Sequence, residues 1–111
     1  MTKKGAVAKV KSTSNGSNDL KLKAYEGYTV GKGIWAQTWG GFPPGLINQR
    51  TNVLANVCEV RAPDNVAQVG TGFVCVGQIV PADDNTITVV LSFDGADELE
   101  FRVHLLVFVW E

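Results

Sequence analysis

The sequence predicts an all-β fold, a single-domain antiparallel β-sandwich or jelly roll of about six to eight strands. Apolar residues recur with a period of two in several short runs, which places alternate side chains on one buried face. Turn-forming clusters of Gly, Pro, Asn and Asp separate these runs every eight to twelve residues. No long stretch keeps a helical period, and no internal repeat suggests a propeller or solenoid.

The totals agree with this class. A chain of 111 residues is enough for one domain that buries roughly two thirds of its unfolded surface without metals or disulfides. With 45% hydrophobic and 19% charged residues, the composition is that of a globular protein. No run approaches the roughly 18 apolar residues of a spanning helix. The apolar stretch Gly5 to Ala8 after Met1-Thr-Lys-Lys is too short for a signal peptide, so cytoplasmic synthesis is expected.

The first element expected is a hairpin. Ala6, Ala8 and Val10 alternate with Val7, Lys9 and Lys11; after the polar tip Ser12 to Asp19, Leu20, Leu22 and Ala24 alternate with Lys21, Lys23 and Tyr25. Its outward face is expected to hold Lys9, Lys11, Lys21 and Lys23. Such a row either blunts an edge strand or welcomes an anionic partner, because like charges facing each other across strands repel.

Residues 25–45 interleave six glycines with Tyr25, Tyr28, Trp35, Trp39 and Phe42, which suggests an irregular strand and a shaped loop ending at Pro43-Pro44. Residues 45–57 read as a loop or single helical turn followed by a strand from about Val53. Turns follow at Pro63-Asp64-Asn65 and Gly70-Thr71-Gly72. Phe73 to Val80 is apolar on both parities, the pattern of a central strand covered on both sides.

Pro81 to Asn85 is a turn, and Ile87, Val89, Leu91 and Phe93 then alternate with polar residues. Asp94-Gly95 reverses the chain into the last strand as a hairpin. That strand, Glu98 to Glu111, changes character along its length. One face carries Leu99, Phe101, Val103, Leu105, Val107 and Val109; the other runs Glu98, Glu100, Arg102, His104 and then Leu106, Phe108, Trp110. Left bare, the last trio exposes roughly 400 to 500 Å², at the upper limit for an ordinary monomer surface. It needs a cover from the chain's other layer or from a second subunit.

Nothing in the chain carries an enzyme signature. The one histidine, His104, stands in a ladder of charges on a strand face; the serine-nucleophile elbow, the phosphate-binding loop and the dinucleotide fingerprint are all missing. Cys58 and Cys75 read as buried free thiols, with a disulfide as the alternative. One histidine and two separated cysteines cannot supply a zinc site of known spacing, and no cofactor is expected. Asp83, Asp84, Asp94 and Asp97 fall in turns, where acids are common; calcium is the alternative use.

Two functional readings remain. The first is a non-catalytic structural or assembly protein that forms a symmetric homo-oligomer, a trimer being one form, or decorates a larger assembly. By architectural analogy this is the phage or viral accessory type, found on a virion. Its subunit contacts are expected at Leu106, Phe108 and Trp110 and at Lys9, Lys11, Lys21 and Lys23. The lopsided charge suits it: residues 1–33 carry +5 and residues 34–111 carry −6. The second is a carbohydrate-binding, lectin-like module. Trp35, Gln37 and Trp39 share one face of an extended chain, near Tyr28 and Phe42, so two flat rings flanking an amide form a platform for a glycan. The same rings serve equally as core contacts packed on glycine backbone. Nucleic acid is disfavoured by the pI of 5.8.

Overall fold

The computed structural model describes residues 19–61, 66–70 and 72–110. Among these there are seven strands and no helix: β1 (Leu20–Gly31), β2 (Gly33–Trp39), β3 (Asn52–Arg61), β4 (Val66–Ala67), β5 (Val74–Ala82), β6 (Thr86–Phe93) and β7 (Leu99–Trp110). They form two antiparallel sheets, β1-β7-β3-β4 and β2-β6-β5. This is the all-β, sandwich-like class expected from the alternation. The first strand of the expected N-terminal hairpin, with Lys9 and Lys11, lies outside the described residues, as does the Pro63-Asp64-Asn65 turn.

The two most regular amphipathic runs occupy the middle of the two sheets. Ile87, Val89, Leu91 and Phe93 of β6 face Phe101, Val103, Leu105 and Val107 of β7, and all eight are buried. Phe93 and Phe101 meet edge to face at 5.0 Å. β6 and β7 are therefore not the hairpin expected at Asp94-Gly95. The connection crosses between layers, because two strands with one fully apolar face each bury more by facing than by lying side by side.

Phe73 to Val80 is also placed differently from the central strand expected. β5 is an edge of its sheet, and Phe73 is 83% exposed. The ladder with β6 shifts register between Val76 and Gln78, a bulge at Gly77. The run of apolar residues on both parities thus reflects an interrupted alternation, not cover on both sides.

One end of the sandwich is plugged by the loop between β2 and β3, which inserts Phe42 and Ile47 into the core. Phe42 meets Tyr25 edge to face at 5.0 Å. The loop begins with a turn in which Leu46 N–H donates to Pro43 O at 3.0 Å, with Pro44 second and Gly45 third at φ 76°. Proline followed by a left-handed glycine is the sequence a type II turn requires.

The β5–β6 hairpin clamps that loop. Asn85, at φ 67°, closes a three-residue connection, its N–H donating to Ala82 O at 3.1 Å. Its side chain accepts from Ile47 N–H at 2.8 Å and donates to Phe42 O at 3.0 Å and Pro43 O at 3.2 Å. Asp83 accepts from Gln49 N–H at 2.9 Å, Asp84 from the Thr86 hydroxyl at 2.6 Å, and Asp94 from Phe73 N–H at 2.7 Å. These turn acids organise backbone, and no group of three metal-ligating side chains exists among the described residues. Nor is any helix there long and apolar enough to cross a membrane.

Candidate interaction face

The outer face of the β1-β7-β3-β4 sheet divides sharply into a polar and an apolar half. Pairing of β1 with β7 sets Leu20 beside Trp110, Leu22 beside Phe108, Ala24 beside Leu106 and Glu26 beside His104. On the other flank, β3 sets Leu54 beside Leu106 and Asn56 beside His104. The late apolar trio of β7 thus lies at the centre of a patch extended by Leu20, Leu22 and Leu54.

Nothing in the described chain covers this patch. Leu22 and Leu54 are each 55% exposed and Trp110 is 66% exposed. Leu106 and Phe108 are half-buried, shielded only by their strand neighbours. A depression of about 350 Å³ opens between Leu20, Leu54, Phe108 and Trp110. From these exposures the patch presents roughly 500 Å² of apolar surface, within the range that marks interaction sites on monomers.

The polar half carries both signs of charge. Tyr28 donates its hydroxyl to Glu26 Oε2 at 2.5 Å, and His104 Nε2 lies 3.7 Å from Glu26 Oε1. The Tyr28 hydrogen bond holds the Glu26 carboxyl below its ordinary value, with Arg102 and His104 adding to the effect against a smaller desolvation penalty. The same bond raises the Tyr28 phenol. Arg102 also reaches Cys58 Sγ at 3.5 Å.

Two expectations about this region need correction. Leu20, Leu22 and Ala24 were expected to face the core and Lys21 and Lys23 to face outward. The register reverses this: Lys21 and Lys23 pair with Val109 and Val107, on the side that turns toward the second sheet. β1 has twelve residues against seven for β2, and Trp39, the last residue of β2, sits over Gly27. The first residues of β1 therefore run past the end of β2, where no strand pairs above them to require an apolar residue. Lys21 and Lys23 are not part of the apolar face.

The second correction concerns the aromatic platform. Trp35, Gln37 and Trp39 do share a face, but it is the inner one. Both indoles are half-buried and packed on the core, Trp35 at 5.8 Å from Phe101. They lie directly on glycine backbone of β1, Trp39 over Gly27 and Trp35 over Gly31. Between them the buried Thr29 accepts from Trp35 Nε1 at 2.9 Å and donates to Gln37 Oε1 at 2.9 Å. These rings pack between the two layers and do not form the outward platform expected for a glycan, although Trp39 lines a depression of about 140 Å³ with Tyr25 and Phe42. Phe42 is buried in the plug, and Tyr28 lies on the opposite face of β1, so the five residues of the expected glycan site do not form one surface.

The cysteines are free. Cys58 pairs across from Arg102 on the outer face of one sheet and Cys75 across from Ser92 on the outer face of the other. Two sheets therefore separate them, which precludes a disulfide, and Cys75 is exposed instead of buried. Leu20, Leu22 and Leu54 belong to the candidate face although their alternation read as core. The signal that identifies them is their register against Leu106, Phe108 and Trp110. Compared with known protein families, curated proteins and solved structures, the chain matches none.

Proposed function

We propose that this chain is a non-catalytic assembly module. Copies of it associate through the apolar half of the outer β1-β7-β3-β4 face, forming a symmetric oligomer or decorating a larger shell of the virion type. The observation that carries this reading is the contiguous patch of Leu20, Leu22, Leu54, Leu106, Phe108 and Trp110. An interface of ordinary size buries about 800 Å² per partner. A core of roughly 500 Å² with a rim of Asn52, Asn56, Glu26 and His104 reaches that size.

A second copy suits the surface chemically. Apolar residues cluster at one end, so two copies related by a two-fold axis meet apolar on apolar. The flanking half is not of one sign, since Glu26 and Glu100 stand beside Arg102 and His104. Self-association therefore brings no large repulsion between like surfaces.

The test is native mass in solution by light scattering, for the wild type and for Phe108→Glu with Trp110→Glu. The wild type is expected at a multiple of 11.9 kDa and the variant at a smaller mass with its β-sheet circular dichroism intact. Equal masses for two folded proteins would refute the assignment of this face.

A further inference from the structure

Among the described residues, the edge strands of the two sheets differ in how they are protected. β4 is only two residues long and pairs with Val60 and Arg61 alone, leaving Asn52–Glu59 of β3 beside β5 of the other layer. β5 contains the Gly77 bulge and Pro81. β1 carries Lys21, Lys23 and Glu26. Short length, bulges, proline and charge are the devices by which proteins stop edge strands from pairing with other chains. β2, Gly-Ile-Trp-Ala-Gln-Thr-Trp from Gly33 to Trp39, has none of them. Its one backbone partner among the described residues is β6, so no other described strand pairs with the N–H and C=O groups on its far side.

The strand is also held ready for pairing. Trp35 and Trp39 anchor it to the opposite layer through Gly31, Gly27 and the Thr29 hydrogen bonds. Its outward residues Ile34, Ala36 and Thr38 are exposed, Ile34 at 79%, and lie level with Ser92, Val90 and Thr88 of β6. That surface has no charge to repel an identical neighbour.

We infer that β2 is a second self-association element, pairing edge to edge and antiparallel with β2 of another copy about a two-fold axis near Ala36. Two three-stranded sheets then become one six-stranded sheet, joined by about six backbone hydrogen bonds. The inference deepens the assembly reading and rests on it. Two distinct isologous contacts on each copy extend the assembly beyond a dimer, as a linear array or as a closed group where their axes intersect.

The experiment compares native masses of four full-length proteins. These are the wild type, Ile34→Lys with Ala36→Lys, Phe108→Glu with Trp110→Glu, and all four substitutions together. Both lysines fall on exposed positions, so the monomer fold is kept while like charges meet across the two-fold axis. The wild type is expected above two chains, each double variant at two chains, and the quadruple variant at one. A lysine variant with wild-type mass overturns the β2 pairing and leaves the sheet-face reading standing. A Phe108/Trp110 variant with wild-type mass, beside a reduced lysine variant, overturns the sheet face and leaves the β2 pairing standing. Amide hydrogen exchange of residues 33–39 supplies an independent readout. Protection that grows with protein concentration supports pairing between copies; protection independent of concentration means the chain caps its own edge and overturns the inference.

Discussion

Replacing Gly31 by alanine tests how the two layers are closed. A Cβ at Gly31 stands 2.5 Å from Trp35 Cε2, 2.6 Å from Cδ2 and 2.9 Å from Cζ2, roughly 1 Å inside ordinary carbon contact. The indole cannot simply swing away. Its Nε1–H is bonded to Thr29 at 2.9 Å and its ring lies against Phe101 at 5.8 Å. Forcing one methyl into a packed site costs about 1–3 kcal/mol, and the better strand preference of alanine returns about 0.5–1 kcal/mol. The net expectation is a loss of about 1–2 kcal/mol, since Gly31 is not among the positive-φ residues and brings no backbone strain. Urea denaturation followed by far-UV circular dichroism measures it; with an m-value near 1 kcal/mol/M, the midpoint falls by about 1–2 M. Trp35→Ala removes the ring that collides, so in that background Gly31→Ala should cost less than about 0.5 kcal/mol. That difference is a coupling energy of about 1 kcal/mol. A neutral Gly31→Ala, or an equal cost in both backgrounds, would refute the packing of indole on glycine backbone.

The remaining predictions concern the clamp and the polar half of the outer face. Asn85→Gly keeps the left-handed turn but removes three side-chain hydrogen bonds to the plug loop, an expected loss of about 1–3 kcal/mol in chemical denaturation. Asn85→Ala should lose about 1 kcal/mol more, because φ 67° is strained for a residue with a Cβ; a neutral glycine variant would remove the clamp from the account. Tyr28→Phe should let the Glu26 carboxyl rise toward its ordinary value in an NMR titration, since the phenol is the largest cause of its depression. Linkage fixes the sign. The depressed carboxyl contributes stability above its unfolded pKa that is lost as pH falls through the folded value. The raised phenol contributes below its ordinary value and loses that as pH rises through the folded one. An unmoved Glu26 titration in Tyr28→Phe would break the assigned hydrogen bond.

The alternation of apolar residues by itself determined the all-β class, the positions of β3, β6 and β7 to within a residue or so at most ends, and the core faces of β6 and β7. These properties are local, because the side-chain period of a strand is two whatever its neighbours are. The trio Leu106, Phe108 and Trp110 was legible as surplus apolar surface for the same reason. Which strand lies beside which, and which of two faces turns inward, depends on pairing partners far away in the chain. Leu20 and Leu22 alternate as cleanly as Val103 and Leu105, yet face outward, because one residue of register decides the side for the whole strand. Trp35, Gln37 and Trp39 share a face in any extended chain; only the packing of their rings on Gly31 and Gly27 decided that this face turns toward the second sheet. The tertiary structure likewise separated β6 from β7 into opposite layers and gathered the exposed leucines of β1 and β3 around the end of β7. Burial is a property of the assembled sheets, and a single strand carries only its period.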